Sequence, residues 1–154
     1  MSEFLPDEQA TIALAGRFGA ALPESLAGWT VLLAGELGAG KSTFARALIR
    51  MLGHSGPVPS PTYTLVEPYS VPRGPIYHVD LYRVTNDDEL RYLGWNELDD
   101  GLRLVEWPER APGLTERADL QLTLTYSGAG RTARFLALSE KGHRLMATLA
   151  DSDT

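Results

Sequence analysis

The 154-residue sequence has no cysteine, which excludes disulfides and cysteine-ligated zinc. Lysine occurs only at Lys41 and Lys141, and no dense run of Lys and Arg is present. Fourteen basic residues against 20 acidic ones leave a net charge of −6. A protein that grips nucleic acid by itself carries a basic patch. If RNA is involved, a partner is expected to supply most of that contact. No apolar run approaches the roughly 20 residues of a membrane-spanning helix, so no membrane role is expected. The opening residues, Met1 to Glu8, are acidic where a secretory signal is basic. With the absent cysteines, this fits a cytoplasmic protein. Internal repeats and low-complexity tracts are also lacking.

What is present suits one globular domain over residues 1–154: 44% of residues are hydrophobic and the mean hydropathy is −0.14. Residues 7–22 read as a helix with Leu14, Phe18 and Leu22 on one face. Thr30–Ala34 is a short apolar run that suits a buried strand. From Lys41 to about Leu52 the period is helical, with Phe44, Leu48, Met51 and Leu52 on one stripe and Gly53 just past the end. Residues 54–62 carry Pro57, Pro59 and Pro61, which forbid helix and central strand. Tyr63–Tyr69 and Ile76–Leu81 are β-like. Residues 86–93 read as a helix capped by Asn86, with Glu89 placed for a capping box and Gly94 at its exit. Leu102–Val105 is another strand. Gln121–Tyr126 and Arg134–Leu138 read as a hairpin around Ser127-Gly128-Ala129-Gly130, and a last helix covers about 140–150. The order predicts an α/β fold, a three-layer sandwich with a mixed, mainly parallel central sheet.

Between the first apolar strand and the helix that follows it stands Gly35-Glu36-Leu37-Gly38-Ala39-Gly40-Lys41-Ser42, the pattern G-x-x-x-x-G-K-[S/T]. A triphosphate needs converging backbone N–H groups, and Gly35, Gly38 and Gly40 remove the Cβ atoms that would obstruct them. The helix starting near Lys41 aims its N-terminus at the phosphates. Lys41 supplies a cation to the β/γ-phosphates, Ser42 a hydroxyl to Mg²⁺, and Thr43 a donor to the α-phosphate. A chance match is the bland alternative, and the strand–loop–helix context argues against it.

P-loop enzymes hold Mg²⁺ with a second group, an acid at the end of an apolar strand. Asp80 ends Ile76–Asp80 and Glu106 ends Leu102–Glu106. Glu106 fits the metal-side acid; Asp80 fits either orientation of water or a share of the metal. Thr62 reads either as a γ-phosphate sensor or as part of a rigid connector. Trp107 reads as core packing, the commoner case, or as an aromatic wall of the site. His54, His78 and His143 lack metal-ligand spacing and read as structural or surface residues. Arg83 and Arg131 are candidates for phosphate or partner contact, although a lone Arg usually makes neither.

Gly35–Thr43, Ser60–Glu67, His78–Arg83 and Val105–Pro108 occur in order. Together they resemble the bacterial TsaE (YjeE) family, nearly from end to end. Ser42 stands where many members carry Thr, and both supply the hydroxyl. The resemblance implies a P-loop ATPase using ATP and Mg²⁺ and acting with a TsaD–TsaB pair. That pair transfers a threonylcarbamoyl group to an adenosine beside the anticodon of tRNAs that read codons beginning with A. ATP binding and hydrolysis would support its turnover. The implied nucleotide contacts are Glu36, Leu37, Gly38, Ala39, Gly40, Lys41, Ser42 and Thr43. Lys41, Asp80, Glu106 and Thr62 are the implied catalytic residues, with Ser42 and Glu106 on the metal. The segment from Pro6 to Glu8, and Arg131, would border the adenine. Two other classes stay open: a small-molecule kinase on the same loop, which would need paired lid arginines, and a nucleotide-gated binding module.

Overall fold

The computed structural model describes residues 1–59 and 65–151. It contains strands β1 (Ser2–Leu5), β2 (Trp29–Gly35), β3 (Val66–Val71), β4 (Gly74–Asp80), β5 (Leu102–Glu106), β6 (Leu120–Ser127) and β7 (Gly130–Ala137). The helices are α1 (Glu8–Ala21), α2 (Lys41–Met51) and α3 (Glu140–Asp151). All seven strands form one sheet in the order β1-β7-β6-β2-β5-β4-β3. The four central strands β6, β2, β5 and β4 run parallel, and antiparallel strands close both sides. This is the expected mixed α/β sheet.

β2 is buried along nearly its whole length because it serves two cores. Val31 and Leu33 face one core, formed with Leu14, Phe18, Phe44, Leu48, Leu145 and Leu149 of the three α-helices. Leu32 faces the other, with Val79, Val105, Leu90, Trp95 and Leu114. The pleat makes this division, since successive side chains point to opposite faces. All three α-helices therefore cover one face. The opposite face is covered by short 3₁₀ turns at Asp87–Leu93, Trp95–Leu98, Pro108–Arg110 and Pro112–Glu116.

Several local expectations shift. Residues 87–93 are 3₁₀ rather than α-helical. Asn86 caps them by accepting from Asp88 N, but the Glu89 carboxylate reaches back to Thr85 N and Thr85 Oγ1, not to Asn86. On α2, Met51 is 41% exposed while Ala45 and Ile49 join Phe44 and Leu48 in the core. The hairpin strands run further than expected and meet at Ser127↔Gly130. The described part of the proline-rich segment forms neither helix nor strand.

β1 is absent from the sequence reading. It carries one fully buried residue, Leu5, and its Phe4 is 57% exposed. Pairing with β7 holds it, and Arg17 of α1 donates to both Glu3 carboxylate oxygens, at 3.1 and 2.5 Å.

Asp119 fastens α3 and β2 together. Its carboxylate accepts from Thr30 N at 2.9 Å and from Ser139 Oγ at 2.8 Å, and Ser139 Oγ accepts from Gly142 N. Asp119 is 6% exposed, so removing the carboxylate strands a buried N–H. Asp119→Ala is expected to cost about 2 kcal/mol of stability in urea unfolding. A loss below about 0.5 kcal/mol, the range of an ordinary surface change, would contradict this role.

Candidate functional site

β2 turns into α2 through a glycine loop whose backbone few other residues could adopt. Gly35 has φ 144, and a Cβ there would lie 2.4 Å from Leu124 O of β6. Gly40, the residue before α2, has φ 110. α2 begins with no side-chain cap, whereas α1 is capped by Asp7, which accepts from Ala10 N. The first N–H groups of a helix have no intrahelical partner. At α2 they are left for whatever enters the loop, the arrangement that binds anions.

The loop separates two hollows. One, of about 470 Å³, is lined by Gly38, Gly40, Lys41, Ser42 and Thr43 on one side and by Leu65, Asp80, Tyr82, Arg83, Glu106 and Trp107 on the other. The second, of about 210 Å³, is lined by Leu5, Asp7, Glu8, Thr11, Ala129, Gly130 and Arg131 and shares Gly38, Gly40 and Thr43. The loop, both strand-end acids, Glu8 and Arg131 are thus brought to one place. Leu37 edges the first hollow and Ala39 the second, while Pro6 and Glu36 line neither. Glu36 contributes its carbonyl, which accepts from Ala39 N. Thr62 lies outside the described residues.

Register brings the acids together. Leu33 pairs with Glu106, and Glu106 with Asp80, so the two carboxylates end adjacent parallel strands on one face. Glu106 is 4% exposed. Its Oε1 accepts from Ser42 Oγ at 3.4 Å, and its Oε2 meets His78 Nε2 at 2.5 Å. Asp80 Oδ1 accepts from Tyr82 N at 2.9 Å. Burial pushes the Asp80 carboxyl above the usual carboxylate range, partly opposed by that N–H, and the neighbouring Glu106 charge adds to the rise. Among the described residues no three His, Cys, Asp or Glu side chains form a ready metal site. A hydroxyl and one or two carboxylates suit a hard cation that keeps water and phosphate as its other ligands.

Lys41 is 4% exposed. Its Nζ donates to Gly35 O at 2.5 Å and lies 3.4 Å from the centre of the Trp107 ring. Burial lowers its pKa, while Glu106, Glu109 and Asp80 act in the opposite direction. Trp107 is therefore a wall of the site. It and Leu65, which also lines the cavity, have φ 60 and 62, positive values that non-glycine residues adopt at a cost. Tyr82 packs on the Trp107 ring at 5.1 Å, and Arg110 lies over Tyr82 at 5.5 Å.

Two contributors escape the sequence reading. His78 is 2% exposed and bonded to Glu106; its signal was the i, i+2 spacing to Asp80, which puts both on one strand face. Tyr126 donates to Leu37 O at 2.8 Å, and Arg131, stacked over Tyr126 at 4.2 Å, donates to Gly38 O at 3.2 Å. The hairpin thereby clamps the glycine loop, which only the β6–β2 pairing reveals.

Residues 5–134 match the model of the family described as "Threonylcarbamoyl adenosine biosynthesis protein TsaE". The chain belongs to the TsaE family. A tRNA threonylcarbamoyladenosine biosynthesis protein TsaE of Haemophilus influenzae is 33% identical, with 98% of each chain covered. That of a Synechocystis strain is 43% identical over 74% of each. The crystal structure of the Bacillus protein YdiB superposes with a TM-score of 0.77 at 28% identity, covering 100% of this chain and 96% of that one. The TsaE assignment agrees with the four sequence blocks, each of which contributes at least one residue to the lining of one cavity.

The Lys41–Trp107 contact gives a direct readout. A phosphate entering the loop is expected to draw Lys41 off the ring, so that nucleotide addition changes tryptophan emission and Trp107→Phe abolishes the change. A change that persists in Trp107→Phe would place its source at Trp29 or Trp95 and contradict the contact's role.

Proposed function

We propose that the chain is a Mg²⁺-dependent ATPase that supports turnover of a TsaD–TsaB transferase complex in threonylcarbamoyl-adenosine modification of tRNA. The observation that carries this reading is the meeting of the uncapped start of α2 and Lys41 with Asp80 and Glu106 across one cavity.

Two carboxylates facing a triphosphate repel it unless cations stand between them. Lys41 is one such cation, and Mg²⁺ would be the second, with Ser42 and Glu106 as the residues that would hold it. When bound, Mg²⁺ neutralises charge on the β- and γ-phosphate oxygens. The N–H groups of Gly38 to Thr43 hold the phosphates in place, and Lys41 leaves Gly35 O for them. Asp80, with its raised affinity for a proton, orients the attacking water. That water forms a bond to the γ-phosphorus as the bond to the β–γ bridging oxygen breaks; the oxygen leaves on ADP, and the water's proton passes to the released phosphate. The second hollow, with Glu8 and Arg131, takes the nucleoside end. The net charge of −6 leaves tRNA contact to the transferase complex. Turnover in isolation is expected to be slow on this reading, with the transferase complex raising it.

Lys41→Ala is expected to weaken ATP binding at least tenfold by calorimetry, and unchanged affinity would contradict the reading. Glu106→Ala is expected to lose Mg²⁺-dependent hydrolysis by about a hundredfold or more, with a smaller effect on binding. Wild-type hydrolysis that is equal with and without Mg²⁺ would remove the metal from the account. Rapid phosphate transfer to a nucleoside or sugar would favour a kinase instead.

A further inference from the structure

The two oxygens of Glu106 do different things. Oε1 faces Ser42 Oγ inside the cavity, while Oε2 is taken by His78 Nε2. His78 does not line the cavity. It sits one row behind, at the register position between Leu104 of β5 and Glu67 of β3, and reaches Glu106 from the core side. Its other ring nitrogen, Nδ1, is buried and finds no hydrogen-bond partner among the described residues. As core packing alone, histidine is a poor occupant here, because an aliphatic residue would fill the volume without stranding a nitrogen. The polar group has one visible use, its hydrogen bond to Glu106.

We propose that His78 is the positioning residue for Glu106. In the tautomer with hydrogen on Nε2 it donates to Oε2 and so fixes the carboxylate plane, keeping Oε1 turned to Ser42 and to the cation both would hold. Without that donor the buried carboxylate is free to rotate toward Lys41, whose charge it already feels. A ligand's hydrogen-bonding partner commonly governs metal affinity in this way. The inference rests on the Mg²⁺–ATP reading of the site, and it concerns metal-dependent binding rather than binding of the phosphates by the loop.

The test is calorimetric binding of the non-hydrolysable analogue β,γ-methylene-ATP, with Mg²⁺ and with EDTA. Wild type is expected to bind more tightly with Mg²⁺. His78→Phe and His78→Leu, which fill the space without a donor, are expected to lose about tenfold of that tightening while the affinity in EDTA stays within about twofold. His78→Gln, which restores an N–H at similar reach, is expected to recover most of it. In a Glu106→Gln background, His78→Leu is expected to cause no further loss. Full Mg²⁺ tightening in either apolar variant, or His78→Gln no better than His78→Leu, would overturn the proposal. Absence of Mg²⁺ tightening in wild type itself would instead overturn the reading on which it rests.

Discussion

The site depends on the register of three parallel strands. Leu33 of β2, Glu106 of β5 and Asp80 of β4 stand in one row across the sheet. Because β2 runs straight into the glycine loop, that row lies beside the loop at the carboxyl ends of the strands, where open α/β sheets hold ligands. A slip of one residue would turn both acids to the opposite face, into the core built on Leu32, Val79 and Val105. Burial on both faces of β2 prevents the slip, since either core would lose its apolar partners. The packing that stabilises the fold is thus the packing that aims the carboxylates.

The second layer of control surrounds the loop. From below, Leu124 O leaves no room for a side chain at Gly35; from outside, Tyr126 and Arg131 hold the carbonyls of Leu37 and Gly38. Inside, Lys41 is a desolvated cation among three acids, resting on an aromatic ring. Such a group is poised to move, because a phosphate offers it more than Gly35 O and the ring do. Glu106, by contrast, is held at both oxygens. On the proposed reading, a cation that moves to the phosphates and an anion held at both oxygens suit a metal-bound anionic ligand.

Local chemistry was readable from residues, and long-range pairing was not. The glycine loop, α1, α2 and the strand-end acids each carry their signal within a dozen residues. β1 carries no such signal: Ser2–Leu5 reads as an acidic tail until β7 supplies its hydrogen bonds and Arg17 its ion pair. Residues 87–93 show cap and exit residues in the right places, yet the periodicity could not separate α from 3₁₀ over two turns. His78 and Tyr126 are ordinary as letters. Their roles come from partners 28 and 89 residues away, which spacing along one chain does not encode. Family membership, by contrast, was legible in the ordered blocks because three of them carry several residues whose identity the site geometry uses.

On the proposed function, the site couples ATP hydrolysis to the work of a tRNA-modifying partner. This coupling is tested most directly by measuring phosphate release by the chain alone, with a TsaD–TsaB pair, and with the pair plus substrate tRNA. The account predicts slow release alone and a severalfold or greater rise with the complex, lost in Glu106→Ala. Release that is the same in all three conditions, with tRNA modification proceeding equally well in ATP and in β,γ-methylene-ATP, would contradict it.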